Sequence, residues 1–402
     1  MEGDFAMFKP LKKLAQIPLH LLSLTSNKLE KYKYESKANV KWKEINIPNN
    51  LLEKLTHELQ TKTHTLKASL STDEKILLND IKKKTKQLNK NNITRTNAYL
   101  QFYKKNPEVH WAFLAHLVSR NGGWNMTDLK GSLLRSILSD QQQLDFFMFL
   151  EKANANIFHD AYPQLLLYEY GKQRNKNLFH LLPYFNVSAF MQPVWNLFSS
   201  EKNSQFLTIA LIINEQHYIE KRVIHNSFFQ ENVLNTLLFQ AQEFLQFTQV
   251  LFPYHYRDNK VRLAGFSVRD FSNVAERIEI GKRLYSILFG IDELSNDVTS
   301  FADSTDHTGS RHDFWPHVFS KADIINPRAT QLVCNSKEAS IYSPPLTKAW
   351  GDITHSFSDQ SDWYKSTQTL DYFAPISTPT RFDITHDYCL KLQKMLVASS
   401  VF

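Results

Sequence analysis

The stretch Glu108–Asp128, EVHWAFLAHLVSRNGGWNMTD, is the part of the chain on which the interpretation of the fold depends. Its first half carries aromatic and aliphatic side chains three and four residues apart, which is typical of a packed helix. The pair Gly122–Gly123 then interrupts this pattern, and glycine often closes a helix in the left-handed conformation. The stretch therefore predicts a helix over residues 107–121, a glycine cap and a second helix over residues 127–138.

Short polar side chains surround the two glycines and have two interpretations. In the structural one, Arg120 pairs with Asp128 across the turn, and Asn125 or Thr127 caps the second helix. In the functional one, Arg120, Asn121, Asn125 and Asp128 bind a ligand. The structural interpretation, a helix–glycine–helix corner, accounts for more of these residues and is favoured.

Helical geometry excludes His110 and His116 as joint ligands of one metal. A separation of six residues is about 240° around a helix axis, so the two imidazoles face different sides. The sequence also contains no glycine-rich nucleotide loop, no Gly-x-Ser-x-Gly elbow and no His-Glu-x-x-His motif. No cofactor and no reaction class follow from its motifs.

The composition favours helices, because glycine, which tight hairpins require, occurs only 10 times in 402 residues. A hydrophobic content of 42% supplies a sizeable core. We predict an all-α fold, an irregular multi-helix bundle with a Lys-rich helical N-terminal arm and a loop-rich C-terminal portion. The expected helices are 96–105, 107–121, 127–138, 140–157, 161–172, 188–199, 203–224, 229–251, 271–289 and 384–397, with an extended piece or loop at 257–266.

The chain is expected to contain three regions. Residues 1–92 form a basic arm and a helical hairpin, residues 93–300 a multi-helix core, and residues 301–402 an irregular portion packed on the core. Ser71–Glu74 has the pattern of a capping box that opens the second helix of the hairpin. Leu77, Ile81 and Leu88 continue its apolar face, and the lysines and asparagines from Lys82 to Asn92 are expected to dissolve the helix into a polar linker.

Charge is distributed unevenly along the chain. Residues 1–105 hold 21 Lys or Arg against 10 Asp or Glu, a net of +11, whereas the remainder holds 26 against 30, a net of −4. All but one of the 21 cations are lysines, which act as point charges without the forked geometry of arginine. The segment suits diffuse attraction to lipid headgroups or nucleic acid. A solubilising arm is the alternative.

The cellular location follows from three absences in the sequence. No apolar run approaches the roughly 18 residues of a spanning helix, and the N-terminal apolar segment does not have the pattern of a signal peptide. Cys334 and Cys389 are too few for a disulfide framework or a zinc site of their own. A cytoplasmic protein is expected, with peripheral contact to the inner membrane face as an extension of that expectation.

The segment Glu215–Arg222 is a second candidate site, in which Glu220 and Arg222 are candidate ligand-binding residues. His217 and Glu220 share one helical face, as do Glu276 and Glu279 on a later helix, which distantly resembles a carboxylate-bridged dimetal site. These four are therefore weak candidates for metal ligands. Basic residues three and four positions after Glu279 favour ion pairs instead.

The loop His307–His317 is a third candidate, because three histidines, an aspartate and an arginine lie within eleven residues. Such side chains can converge on a metal or a phosphate. A solvated loop anchored by Phe314 and Trp315 is the favoured alternative. The candidate ligand-binding residues are His307, Arg311, His312 and His317.

Four blocks carry a resemblance to a known family: Asn97–Asp128, Asn214–Val223, Gly281–Leu284 and His307–His317. They resemble an uncharacterised family of Bacillus-type, spore-forming Gram-positive bacteria, over about residues 94–360. The resemblance implies a bacterial protein without a secretion signal. It implies no activity, cofactor or catalytic residue.

The leading functional hypothesis is a non-enzymatic interaction or scaffold protein that touches the inner membrane surface. One alternative is a hydrolase or metal-dependent enzyme, whose site would join the Arg120–Asp128 corner, the Glu215–Arg222 helix and the His307–His317 loop. Another is a nucleic-acid-binding protein that uses the Lys-rich arm. Convergence of the three segments on one deep pocket would favour the enzyme.

Overall fold

The computed structural model describes residues 43–61, 69–236, 249–257, 260–267, 273–323, 339, 341–376, 379 and 381–399. Most of the predicted N-terminal arm, residues 1–42, lies outside these ranges. The fold is predominantly helical, as predicted. The longer helices are α1 (Asn49–Thr61), α2 (Thr72–Leu88), α3 (Asn92–Lys105), α4 (His110–Asp128), α5 (Asp140–Arg174), α6 (Met191–Glu201), α7 (Ser204–Ile219), α8 (Val274–Gly290), α9 (Asp292–Ser304) and α10 (Thr385–Ser399).

Shorter elements connect these helices. A single π-helical turn prolongs α7, and a second helical turn with its own π-helical extension follows it. Among the residues described between α9 and α10, the regular elements are brief helices and a two-residue parallel strand pair. The short elements are Phe179–Phe185, Glu220–Ile224, Ser227–Phe229, Gln230–Leu234, Arg311–Asp313, Leu346–Ala349 and Thr367–Phe373, with strands β3 (Phe319–Ser320) and β4 (Ile341–Tyr342).

The capping box predicted at Ser71 is present and begins α2. The Ser71 hydroxyl accepts the backbone N–H of Glu74, whose carboxylate accepts the backbone N–H of Ser71. The helix continues through the lysine run to Leu88, the last apolar position expected on its face, and residues 89–91 separate it from α3. Leu77 and Ile81 hold it to the body of the protein by packing into the core.

The predicted corner at Gly122–Gly123 is wrong, because α4 is one uninterrupted helix from His110 to Asp128. A Cβ at Gly122 would lie 2.9 Å from Asn154 Nδ2 on α5. A Cβ at Gly123 would lie 2.6 Å from His307 Nε2. The two glycines therefore permit close approach of neighbouring segments instead of ending the helix, and residues 130–138 form turns where a helix was expected.

Helix α5 also runs through a position where a boundary was predicted. It is continuous for 35 residues with Pro163 inside it, so residues 140–157 and 161–172 are not separate helices. Ser139 caps its first turn, and Asn175 closes it in the left-handed conformation with φ 50°. Because α5 is continuous, several of its polar side chains are buried inside the protein.

A β-hairpin replaces the end of the helix that was predicted over 229–251. Strands β1 (Gln249–Tyr256) and β2 (Lys260–Ser267) pair antiparallel, with Gln249 opposite Ser267 and Tyr256 opposite Lys260. β1 lies against α4, where Asn121 Nδ2 donates to the Leu251 carbonyl over 2.7 Å. The extended piece predicted at 257–266 corresponds to most of β2.

Buried apolar side chains form two clusters, and α4 contributes to both. The first joins Leu55 of α1, Ile81 of α2 and Phe113 of α4, together with much of α5, α6, α7 and α8. The second surrounds Trp124, at the other end of α4, and includes Leu392 of α10. The division of the chain at residues 92 and 300 remains a prediction.

Candidate functional site

Arg120 is completely buried on α4 and does not pair with Asp128. Its Nη2 donates to the backbone carbonyls of Thr305 (2.9 Å) and Asp306 (3.3 Å), and its guanidinium lies over the Phe301 ring at 5.1 Å. Burial lowers its pKa to about 10. The predicted Arg120–Asp128 ion pair is therefore wrong, and Arg120 holds the end of α9 against α4.

Asp128 pairs with Arg311 of the His307–His317 loop. The Arg311 Nε donates to both carboxylate oxygens, at 2.9 and 2.8 Å, and Nη2 lies 2.7 Å from Oδ2. Nη2 also donates to Asn125 Oδ1 (3.1 Å), and Nη1 donates to the Tyr388 hydroxyl (2.8 Å). Asn125 lies inside α4, as does Thr127, so their predicted capping role is wrong.

The histidines of this loop occupy three different settings. His307 is buried, with its Nε2 2.8 Å from Asn92 Oδ1, and burial lowers its pKa well below the usual value. His312 is half-buried, and His317 is exposed beside Trp315. Phe314 and Trp315 are buried anchors of the loop, as the favoured interpretation expected. The loop is thus fastened to α4 by specific contacts.

The residues that were weak candidates for metal ligands contact different partners. Glu220 pairs with Arg277 and lies 3.3 Å from His225 Nε2, whereas His217 stacks on Trp363 with ring centres 4.5 Å apart. Among the residues that the structure describes, no three His, Cys, Asp or Glu side chains are grouped to hold a metal. Arg222 covers the Tyr218 ring at 3.9 Å and donates to the Asp359 and Ser361 carbonyls.

The ion pairs expected at Glu279 are present. Lys282 Nζ lies 3.3 Å from one carboxylate oxygen, and Arg283 Nε donates to the other over 3.1 Å. Glu276 is exposed in the first turn of α8, where a negative charge suits the helix dipole.

A cavity of about 210 Å³ lies between α4, α5, α7, α8 and β1. We call it the central cavity. Two of the three segments predicted to converge do so here, because Asn121 and Asn125 of α4 and Glu215 and Gln216 of α7 line it. The His307–His317 loop does not line it, so the convergence of all three segments that the enzyme alternative requires is not present at this cavity. The other lining residues are Tyr99, Trp111, Leu114, Ala115, Val118, Ser119, Gly122, Phe149, Leu150, Ala153, Asn154, Ile157, Ile219, Gln249, Val250, Arg277, Ile280, Gly281 and Leu284.

Glu215 is the acidic residue among those that line the central cavity, and each of its carboxyl oxygens accepts a hydrogen bond. Trp111 Nε1 donates to Oε2 (3.2 Å), and Gln216 Nε2 donates to Oε1 (3.1 Å). Arg277 Nε donates to Gln216 Oε1 (3.0 Å), which fixes the orientation of the Gln216 amide. Burial raises the pKa of Glu215 to about 8, although both hydrogen bonds oppose the shift. At neutral pH this carboxyl is mainly protonated.

A second carboxyl with a raised pKa lies on α5. Asp160 Oδ2 accepts from Gln164 Nε2 (2.8 Å) and Asn214 Nδ2 (2.5 Å). Burial raises the pKa of Asp160 to about 7. Asn214 in turn accepts from Trp363 Nε1 (2.9 Å), so the residue that precedes Glu215 belongs to a buried polar network.

Residues 87–389 match the family described as "Protein of unknown function (DUF2515)". The chain belongs to this family. It is similar to "Uncharacterized protein YppC" of Bacillus subtilis (strain 168), with 39% identity over 320 residues, which are 79% of this chain and 93% of the relative. No solved structure matches the chain. The resemblance to an uncharacterised Bacillus-type family is thereby confirmed.

The central cavity lies inside the part of the chain that matches DUF2515. Within the described residues, no helix combines the length and the apolarity needed to cross a membrane. Sequence reasoning placed Glu215 at the edge of a candidate segment but did not select it as a ligand-binding residue. The available signal was a carboxyl two residues after the apolar run Phe206–Ile213, within a predicted helix.

Proposed function

We propose that this protein is a receptor for a small neutral molecule, which occupies the central cavity and accepts a hydrogen bond from Glu215. The expected ligand is a compact, mainly apolar molecule that carries a carbonyl, ether or hydroxyl oxygen. This proposal keeps the non-enzymatic interpretation of the sequence and assigns it a binding site.

One observation carries the proposal: both hydrogen bonds to the Glu215 carboxyl come from donors. Trp111 offers an indole N–H, and Gln216 offers an amide N–H because its oxygen already accepts from Arg277. A protonated carboxyl has one O–H of its own to donate. Neither contact accepts that proton, and a polar hydrogen without an acceptor is unfavourable at a side chain that is only partly accessible, as Glu215 is. An acceptor atom on a ligand satisfies it.

The size and lining of the cavity define the rest of the ligand. A dry apolar cavity of about 150 Å³ binds benzene in another protein, so a volume of about 210 Å³ accommodates a somewhat larger molecule. Leu114, Phe149 and Leu284 form part of an apolar wall. Val118, which is 40% exposed, lies at the rim and marks where the cavity meets solvent. Trp111 and Gln216 donate hydrogen bonds to Glu215 in this lining, and the Glu215 carboxyl orients the ligand.

Methyl NMR with cyclohexanone tests the proposal, since this probe joins an apolar ring to one acceptor. We expect titration to shift the methyl signals of Leu114, Ile157 and Leu284 and to leave that of Leu55 in place, because Leu55 is a core residue that does not line the cavity. Binding should weaken as the pH rises through about 8, because ionised Glu215 has no proton to donate.

Two substitutions of alanine by phenylalanine distinguish binding in the cavity from binding elsewhere on the surface. Ala115→Phe fills the cavity and should abolish the shifts, whereas Ala189→Phe adds the same ring at an exposed position and should preserve them. Circular dichroism checks that both variants fold. Unchanged spectra in the wild type, or equal binding by Ala115→Phe, would overturn the proposal.

Association with an anionic surface is a separate proposal, which the net charge of +11 in residues 1–105 supports. Flotation with phosphatidylglycerol vesicles should retain the full chain and should be weaker for a chain that lacks residues 1–42, which hold 8 Lys against 4 Asp or Glu, a net of +4 out of the +11. The deletion ends at residue 42 because Leu55 and Ile81 belong to the core. Equal flotation of both chains, or of neither, counts against it. Steeply salt-dependent binding of DNA in place of vesicles would favour the nucleic-acid alternative.

A further inference from the structure

A second and larger cavity, of about 750 Å³, lies away from the central cavity. It is a groove between α2, the short helix Phe179–Phe185 and residues 352–357, and we call it the lysine groove. Its volume is within the range of about 300–1,000 Å³ that small-molecule sites occupy. The lysine groove therefore has room for a ligand much larger than one that fits the central cavity.

One wall of the lysine groove is positively charged. Lys82, Lys86 and Lys90 line it, and Lys82 and Lys86 are one helical turn apart on α2, about 6 Å along the axis. Lys90 pairs with Asp352 at 2.9 Å. In the described part of the chain, no acidic side chain forms an ion pair with Lys82 or Lys86. Two ammonium groups at this spacing can each contact a separate anionic group.

The floor combines flat apolar surface with buried polar atoms. Phe185 is buried there, and His159 stacks on Phe357 with ring centres 3.8 Å apart. Thr85, which is only 4% exposed, also lines the groove, and its hydroxyl has no hydrogen-bond partner. Burial lowers the pKa of His159 to about 4, so its ring is neutral at physiological pH. An unsatisfied hydroxyl on a residue that lines a groove favours a ligand with polar edges over a plain hydrocarbon.

We propose that the lysine groove binds a nucleotide, with adjacent phosphates on Lys82 and Lys86 and the nucleoside on the floor beside Thr85. A phosphate chain supplies more than one anionic group within reach of the two ammonium groups, as a fatty acid with its single carboxylate does not. The base supplies both a flat face for the apolar floor and hydrogen-bonding edges for the Thr85 hydroxyl. This inference is independent of the central cavity and its ligand.

Isothermal titration of the full chain with ATP tests the inference, with tripolyphosphate, adenosine and dodecanoate as comparison probes. ATP should bind more tightly than any of the three. If tripolyphosphate bound as tightly as ATP, the nucleoside would contribute nothing and the nucleotide proposal would be refuted. If adenosine bound as tightly as ATP, the phosphates would contribute nothing and the proposal would likewise be refuted. Binding of dodecanoate without ATP, or no binding of ATP, would overturn it.

Matched variants locate the site on α2. Lys82→Glu combined with Lys86→Glu should weaken ATP binding by about tenfold or more, which corresponds to about 1.4 kcal/mol. Lys75→Glu combined with Lys83→Glu makes the same charge change at exposed positions of α2 outside the groove, and should have a much smaller effect. Equal weakening in the two pairs would show diffuse attraction and refute the groove. Thr85→Val, which keeps the shape of the side chain, should weaken ATP but not tripolyphosphate.

Discussion

The indole Nε1 of Trp111 donates a hydrogen bond of 3.2 Å to Oε2 of Glu215, across 104 residues of sequence. The contact ties α4 to α7 at the polar end of the central cavity. Because Gln216 donates to the other oxygen, the carboxyl is surrounded by donors while burial favours its protonated form. Hydrogen bonding and burial thus act on Glu215 in opposite directions, and the raised pKa shows that burial dominates.

Glu215→Gln should change how stability depends on pH. The folded-state pKa of about 8 exceeds the usual value of 4.5, so the folded protein binds the extra proton between these limits. The stabilisation is present below pH 4.5 and is lost as the pH rises through 8. Glutamine cannot ionise, so the variant should gain stability relative to the wild type, by a few kcal/mol, between pH 4.5 and 9. Urea unfolding at the two pH values measures this gain, and a constant difference would contradict it.

Gly123→Ala should destabilise the protein by roughly 1–3 kcal/mol. The new Cβ would lie 2.3 Å from Asn92 Oδ1 and 2.6 Å from His307 Nε2, the two atoms of a buried hydrogen bond. The gain in helix propensity, at most about 1 kcal/mol, is smaller than this cost. Gly351→Ala is the control, because its Cβ meets nothing within 4 Å. Similar unfolding free energies for the two variants would disprove the close approach.

Arg311→Met should cost about 3–5 kcal/mol, because it leaves Asp128 without its partner in a largely buried position. The matched control is Arg135→Met. Arg135 pairs with Asp323 at 2.7 Å, but both side chains are 44% exposed, so the loss should be about 1 kcal/mol or less. Denaturant unfolding of the two variants measures the contrast. A small loss in Arg311→Met would show that the loop is not fastened to α4 by this ion pair.

Acid should destabilise the protein partly through His116. Its Nδ1–H donates to the Thr96 carbonyl over 2.9 Å, and burial, assisted by the charge of Arg120, lowers its pKa to about 3. The unfolded chain takes up a proton near pH 6.5 and the folded chain does not. Stability is therefore present above pH 6.5 and is lost as the pH falls toward 3.

His116→Asn keeps a donor near the Thr96 carbonyl and removes the titration. We expect a lower stability than wild type at pH 7 but a shallower decline between pH 6.5 and 4. Thermal unfolding across this range measures the slope. Parallel profiles for the two proteins would exclude His116 as a source of acid sensitivity.

The sequence predicted those features that depend on local pattern. The apolar periodicity predicted a helical protein, the Ser71–Glu74 spacing predicted a capping box, and basic residues one turn from Glu279 predicted its ion pairs. Each of these interactions joins residues within four positions of one another. The free energy of each interaction therefore depends on residues within about one helical turn, so the sequence pattern alone is enough to predict it.

Predictions from local sequence pattern were wrong where a segment distant in sequence determines the local structure. Glycines usually end helices, but α4 passes through Gly122–Gly123, where Asn154 and His307 approach closely. Arg120 and Asp128 are only eight positions apart in sequence, yet Asp128 pairs with Arg311, while Arg120 donates to backbone carbonyls that follow α9. The residues from Gln249 onward form strand β1, which pairs with β2 and packs on α4, where a helix was predicted up to residue 251.

The sequence by itself determined that this chain is a helical member of the DUF2515 family with a lysine-rich first quarter. Only the tertiary structure decided that Glu215 lies in a cavity beside Trp111 and that Lys82 and Lys86 line a groove. The physical reason is that burial, desolvation and cavity shape depend on which surfaces meet. Those surfaces come from helices far apart in the chain, so no short window of sequence contains them.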